Sequence, residues 1–123
     1  MDSQEIKQRE AKARQLHQQG CNCCQSVVLA YADLLPIDAQ VASQLSSPFG
    51  RGMMGLRQTC GCVTAMGIVC GLCGQTMFFK GLANRFREEN GELNCPELLR
   101  LQGRDHSCED LVGCAARLLG EIF

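Results

Sequence analysis

The stretch Cys60-Gly-Cys-Val-Thr-Ala-Met-Gly-Ile-Val-Cys-Gly-Leu-Cys-Gly74 decides the fold of this 123-residue chain. It is apolar and uncharged, yet shorter than the roughly 20 residues that a membrane-spanning helix needs. Each glycine costs a helix interior about 1 kcal/mol relative to alanine, which suggests close backbone approach by another helix. We therefore predict a buried central helix here, with Gly67 and Gly71, one turn apart, forming the contact face.

The segments on either side carry helix signals of their own. Residues 22–35 have a dense apolar set and are followed by Pro36, which predicts a helix that ends there. Residues 46–58 contain several glycines and a proline and are predicted as a loop. Residues 75–90 are predicted as an amphipathic helix that ends at Gly91. The core-facing side chains of this helix are predicted to be Phe78, Phe79, Leu82 and Phe86.

The remaining helices are predicted from capping residues. The first helix would end at Gly20, and its sparse apolar positions predict a peripheral location. The third would reach about Leu45, and the last would run from Cys108 to about Ile122. Since no segment alternates convincingly between apolar and polar residues, we predict one all-α domain over 1–123, a bundle of about five to seven helices with a Gly-rich loop before the central buried helix. The predicted N-caps are Asp2, Asp38, Asn94 and Ser107.

Charge and aromatic content exclude two classes of function. The net charge is −1, aromatic residues make up 5%, and acids and bases are interspersed. A nucleic-acid binder would show a basic patch or stripe, so we predict no nucleic-acid partner. The first residues are polar and lack the apolar core of a secretory signal. We therefore predict a cytoplasmic protein without membrane insertion.

Ten cysteines are the outstanding feature of the composition. A reducing cytoplasm opposes a disulfide framework, and a chain of this length can fold without such staples. Metal binding or thiol catalysis is then the better interpretation of so many cysteines. The alternative is that most of them pack as small apolar side chains.

Four of these cysteines lie near predicted helix starts, where unpaired amides and the helix dipole lower the pKa of a thiol. If the helix ends converge, the four thiols can bind a tetrahedral metal or an iron–sulfur cluster, or form redox-switchable disulfides. The Gly-rich loop can bring backbone amides near the helix start at Cys60, where Arg51 and Arg57 would favour a thiolate. The four predicted catalytic thiols and metal ligands are Cys23, Cys60, Cys95 and Cys108.

The other six cysteines are predicted cofactor-binding residues. A helix would place Cys62, Met66 and the Cys70/Cys73 pair on one stripe, which either packs in the core or offers soft ligands to Cu(I), Zn or a cluster. The pair has CxxC spacing, but the βαβ context of a thioredoxin-like site is absent. The six predicted cofactor-binding residues are Cys21, Cys24, Cys62, Cys70, Cys73 and Cys114.

Several motifs occur in an order typical of a known family, and they span nearly the full chain. They are Gly20-Cys-Asn-Cys-Cys-Gln-Ser-Val27, Phe49-Gly-Arg-Gly-Met53, Cys60-Gly-Cys-Val-Thr64, Arg85-Phe-Arg-Glu-Glu-Asn-Gly-Glu-Leu-Asn-Cys-Pro-Glu-Leu-Leu99 and Cys108-Glu-Asp-Leu-Val112. Together they resemble the C_GCAxxG_C_C family of redox-active proteins. The resemblance implies a helical fold and either redox activity or cluster binding. It places the four signature cysteines of the family at Cys23, Cys60, Cys95 and Cys108.

The chain also departs from the pattern of that family. Cys62 stands where the family tends to have alanine, and Ala65 where it tends to have glycine. Further cysteines are additions to the pattern, and they favour a site larger than four thiols would serve. These additions are Cys21, Cys24, Cys70, Cys73 and Cys114.

We predict a redox-active protein that uses clustered thiolates for electron transfer or thiol–disulfide exchange. An iron–sulfur cluster or another thiolate-bound metal is the candidate cofactor. The alternatives are a non-catalytic protein that binds or stores Zn, Cu or Fe, and a helical module whose cysteines only pack. The expected partners are a redox partner protein or a small thiol or metal donor, and the glycine-lined helices allow a homodimer.

Overall fold

The computed structural model describes residues 1–56, 58–94 and 108–123. These ranges contain six α-helices of eight residues or more, a four-residue helical turn at Gly50–Met53 and no strand, which confirms the all-α prediction. Short 3₁₀ turns lie at Ala32–Leu34, Ser47–Phe49 and Thr76–Phe78. None of the helices in these ranges has both the length and the apolar character needed to cross a bilayer. The helices are α1 (Ser3–Gln18), α2 (Cys23–Ala30), α3 (Ala39–Ser46), α4 (Gly61–Leu72), α5 (Phe79–Asn90) and α6 (Cys108–Gly120).

The N-termini of the first three helices are fixed by side-chain caps. Asp2 accepts a hydrogen bond from the backbone N–H of Glu5 at 2.8 Å, as predicted. Asp38 caps α3 in the same way, through the N–H of Val41. Asn22 caps α2 within a complete capping box, which satisfies two orphan amides reciprocally. These caps explain why the starts of these three helices were predicted accurately.

The helix α2 ends at Ala30, so the prediction that it reaches Leu35 was wrong. The reason is a contact from α1 that the local sequence does not show. The guanidinium of Arg9 donates to the Ala30 carbonyl at 2.8 Å and pairs with Asp33, which lies in the following 3₁₀ turn. This pairing satisfies the last carbonyl of the helix and lowers the pKa of Asp33 below its ordinary value.

The buried helix α4 packs against α2 and α5 and has the apolar character predicted for it. A Cβ atom on Gly67 would lie 3.0 Å from the Phe79 ring, so this glycine makes room for a side chain of α5 rather than for the close backbone approach that was predicted. Gly71 has no such neighbour among the described residues, which do not give it the place in a contact face that was predicted. Phe78 is 43% exposed rather than core-facing, because a 3₁₀ turn precedes α5 and shifts the phase of the apolar pattern. Leu82 and Phe86 are buried as predicted.

The first helix packs along α6, and the core lies between this pair and α2 and α4. Ala13 of α1 is fully buried in that core, while Arg14 pairs with Asp110 of α6 at 2.8 Å. The buried hydroxyl of Tyr31, at the end of α2, donates to the Ala116 carbonyl of α6 at 2.6 Å. This bond ties α2 to α6 across the core.

Replacing Tyr31 with phenylalanine is expected to lower the free energy of unfolding by about 1–2 kcal/mol, because a buried hydrogen bond between helices is lost. Urea unfolding followed by circular dichroism measures the change. Ser46→Ala is the matched control, since Ser46 also donates from a buried hydroxyl, but to Ala42 of its own helix. An unchanged Tyr31→Phe variant would contradict the role assigned to this bond.

Candidate functional site

Two helix N-termini meet and bring three thiols together. Cys23 is the first residue of α2, Cys60 is the N-cap of α4, and Cys62 lies in the first turn of α4. The helix-start positions predicted for Cys23 and Cys60 are therefore confirmed. Interactions with the other two thiols are the largest causes of the raised pKa of Cys62. We refer to Cys23, Cys60 and Cys62 as the thiol cluster.

A glycine at the start of α4 makes this approach sterically feasible. A Cβ atom on Gly61 would lie 2.5 Å from the Cys23 sulfur and 2.8 Å from the Phe49 carbonyl oxygen. Both separations are shorter than real Cβ contacts, so any side chain here would displace the sulfur or the backbone. Gly61 therefore holds open the space that the Cys23 sulfur occupies.

Two thiols of the cluster, Cys23 and Cys62, have pKa values shifted in opposite directions. The hydrogen bond donated by the Cys62 thiol, together with backbone N–H groups of Arg51 and Cys24, lowers the pKa of Cys23 to about 6, although burial opposes the shift. The pKa of Cys62 is raised well above its ordinary value, first by its bonds with Cys23 and Cys60 and then by full burial. At neutral pH the cluster therefore contains a thiolate at Cys23 and a protonated thiol at Cys62.

A left-handed turn delivers one of these amides. Arg51, Gly52, Met53 and Met54 have φ values of 56°, 66°, 68° and 55°, which lie in the left-handed region. For a residue other than glycine this region costs roughly 1–2 kcal/mol. The turn aims the backbone N–H of Arg51 at the Cys23 sulfur. Backbone donors from the Gly-rich loop were predicted, but near Cys60, and Arg57 lies outside the described residues.

Cys24 lies directly behind the cluster and has the opposite character. It is fully buried, and burial raises the pKa of its thiol strongly, with further increases from the charges of Cys23 and Cys60. Such a thiol stays protonated and packs as a small apolar side chain. Cys21, just before the cap of α2, is half-buried.

The chain segment before Cys95 is held against the segment before Cys60. Thr59 and Asn94 form an antiparallel bridge, and the Cys60 amide donates to the Leu93 carbonyl at 2.8 Å. Asn94 directly precedes Cys95 in the sequence, but Cys95 lies outside the described residues. The predicted role of Cys95 therefore stays a prediction.

The remaining cysteines lie in different surroundings. Cys70 and Cys73 are in the last turn of α4, at the other end of the helix from the cluster. Cys114 of α6 is half-buried and contacts Asn90 and Glu89 of α5, with burial as the main cause of its raised pKa. Cys108 is exposed and is the first described residue of α6.

A metal or iron–sulfur cluster, as predicted, needs several donor side chains close together. Across the three described ranges, no group of three or more His, Cys, Asp or Glu side chains is placed to hold a metal ion. The thiol cluster therefore does not fit a metal centre by itself. The soft-ligand role of the stripe formed by Cys62, Met66, Cys70 and Cys73 stays a prediction. A thiolate-bound cofactor that uses Cys95 stays a prediction.

Sequence reasoning selected Cys23 and Cys60 but gave Cys62 a different role. The motif Cys60-Gly-Cys62 was the available signal, because its two cysteines flank the glycine that Cys23 approaches. The left-handed turn carries no such signal, since arginine and methionine rarely adopt that conformation.

Comparison with protein-family models matches residues 21–122 to the family described as "Putative redox-active protein (C_GCAxxG_C_C)". Comparisons with curated proteins and with solved structures found no match. The matched range contains every element of the thiol cluster, including the turn at residues 51–54. Because the match spans most of the chain, the protein belongs to the C_GCAxxG_C_C family of redox-active proteins.

Proposed function

We propose that the protein carries out thiol–disulfide exchange, with Cys23 as the attacking thiolate and Cys62 as the resolving thiol. One observation carries the proposal: the Cys23 sulfur lies against Gly61, the residue before Cys62, and the interaction with Cys62 is the largest cause of the lowered pKa of Cys23. A thiol with a pKa of about 6 is roughly 90% ionised at pH 7, and the thiolate is the nucleophile.

The reaction is written as two balanced exchanges. The Cys23 thiolate attacks one sulfur of a disulfide, forms a mixed disulfide and releases the other half as a thiolate. The released thiolate accepts the proton of Cys62. The Cys62 sulfur then attacks the Cys23 sulfur and releases the second half, so two thiols are oxidised and the substrate disulfide is reduced. Burial of Cys62 keeps it from competing for the first attack.

Disulfide mapping tests this assignment. The reduced protein is treated with glutathione disulfide under anaerobic conditions, quenched with acid, alkylated, digested and analysed by mass spectrometry. We expect a Cys23–Cys62 disulfide, and the Cys60→Ser variant should still form it. A mixed disulfide that persists on Cys23 while Cys62 remains alkylatable would contradict the resolving role.

The alkylation rate of Cys23 by iodoacetamide is expected to fall as pH decreases through about 6, because protonation removes the nucleophile. In the Cys62→Ala variant the midpoint should move upward, toward the ordinary thiol value of about 8.5, since the largest stabilising hydrogen bond is lost. Cys70→Ala is the matched control, because it removes a thiol from the opposite end of the same helix. An unchanged midpoint in Cys62→Ala would show that Cys62 does not stabilise the thiolate.

We also propose a compartment and a substrate class for this exchange. A reducing compartment such as the cytoplasm would keep the thiol cluster in its active form, and a small disulfide or a partner protein would supply the substrate. Analysis of anaerobically purified protein for iron, sulfide, zinc and copper tests the predicted cofactor. Stoichiometric metal that is lost in a Cys95→Ser variant would favour metal binding over exchange.

A further inference from the structure

The last turn of α4 holds a second pair of thiols, away from the thiol cluster. Cys70 is fully buried and Cys73 is partly exposed, and both are free thiols. The helix spans Gly61–Leu72, so at about 1.5 Å per residue its two ends are roughly 18 Å apart. Sulfurs at the two ends cannot exchange directly, which makes the pair independent of Cys23.

The backbone holds the two residues one turn apart. The Gln75 amide donates to the Cys70 carbonyl at 2.7 Å, and Gly74 has a φ of +70°, as in a Schellman motif. In a helix, residues at i and i+3 have Cβ atoms about 5–6 Å apart, and a disulfide needs about 3.5–4.5 Å. Closing the gap requires a shift of about 1–2 Å at Cys73, which is the C-cap of the helix.

We propose that Cys70 and Cys73 form a second dithiol–disulfide couple, which reacts with small disulfides separately from the thiol cluster. Cys73 is the exposed member and attacks first. Its thiolate displaces one half of the small disulfide and forms a mixed disulfide. Cys70 then loses its proton to solvent and attacks the Cys73 sulfur, which releases the other half. Two electrons and two protons leave the pair, and the small disulfide becomes two thiols.

The surroundings of the pair favour the oxidised form more than those of the cluster do. The Cys73 thiol donates to the Leu34 carbonyl, a contact of 3.7 Å that stabilises the protonated form. The carbonyl end of α4 also disfavours negative charge. Burial first and the charge of Cys73 second raise the pKa of Cys70 to about 11. A dithiol whose thiolates are not stabilised forms the more stable disulfide. The Cys23 thiolate is stabilised by its amide and thiol donors, which favours the reduced form of the thiol cluster.

The test equilibrates the full chain with glutathione and glutathione disulfide at graded ratios, followed by acid quench, alkylation and peptide mass spectrometry. The midpoint of each disulfide is the ratio of squared glutathione concentration to glutathione disulfide concentration at which half of the protein is oxidised. We expect this ratio to be at least about tenfold higher for the Cys70–Cys73 disulfide than for the Cys23–Cys62 disulfide. The couple should persist in Cys23→Ser, which separates it from the proposed exchange at the cluster. Cys114→Ser, which removes a half-buried cysteine elsewhere, should leave both midpoints unchanged.

Four outcomes would overturn the proposal. Cys73 could remain fully alkylatable at every ratio, or stop at a mixed disulfide with glutathione, or bridge a cysteine other than Cys70. Loss of the Cys70–Cys73 disulfide in Cys23→Ser would show that the pair depends on the cluster. The proposal would be supported if the Cys70–Cys73 disulfide forms in Cys23→Ser. The peptide that contains both residues would then have lost two hydrogens.

Discussion

Cys23→Ser is expected to lower the rate of reaction with glutathione disulfide by at least about 100-fold, because a serine hydroxyl is not ionised at neutral pH and cannot replace the thiolate. Cys23 combines a pKa lowered to about 6 with partial exposure. The measurement is the release of glutathione from its disulfide by the reduced protein, followed over the first turnover. The fold should be unaffected, because serine can still accept the backbone amides of Arg51 and Cys24.

The matched control for this variant is Cys24→Ala. Cys24 is the next residue in the chain, but it is fully buried and its thiol stays protonated. The alanine variant should lose stability through the cavity it leaves while the exchange rate stays within a few-fold of wild type. If Cys23→Ser reacted as fast as the parent protein, another cysteine would be the nucleophile and the proposed function would fail at this site.

Gly61→Ala is expected to impair both stability and exchange. The added methyl group would lie 2.5 Å from the Cys23 sulfur and 2.8 Å from the Phe49 carbonyl oxygen, so the two helix N-termini must separate. Overpacking of this kind costs about 1–3 kcal/mol. Separation also breaks the hydrogen bond between Cys62 and Cys23, so the exchange rate at neutral pH should fall by at least about tenfold.

Gly71→Ala separates this steric effect from helix propensity. Gly71 lies in the same helix with no atom near its missing side chain, so alanine there should stabilise the protein by about 0.5–1 kcal/mol. Urea unfolding and the exchange assay are run on both variants. A Gly61→Ala protein that behaves like Gly71→Ala would show that the close packing around Cys23 is not required.

Local sequence signals predicted the helix starts well, because a cap and its amide lie within a few residues of each other. Asp2 and Asp38 are such caps, and the helix-start positions of Cys23 and Cys60 followed from the same reasoning. The end of α2 was misplaced because the group that satisfies its last carbonyl is Arg9, which lies in a different helix. A contact between residues in two different helices leaves no periodic pattern in the sequence.

The composition of the thiol cluster was only partly predictable for the same reason. Helix-start reasoning selected Cys23 and Cys60 and set Cys62 aside as part of a stripe running along α4. The stripe ignores what faces the helix, whereas Cys62 in the first turn interacts with Cys23 of α2. The terminal pair Cys70/Cys73 therefore has surroundings of its own, although the spacing of the stripe is regular.

The left-handed turn at residues 51–54 has a consequence for how this protein can vary. Its contribution to Cys23 is a main-chain amide, and every amino acid except proline has one. A substitution at position 51 that tolerates a φ of 56° should therefore leave this donor to the Cys23 sulfur in place. A search for functional side chains would overlook this group, because what acts on Cys23 from position 51 is the direction of a backbone N–H.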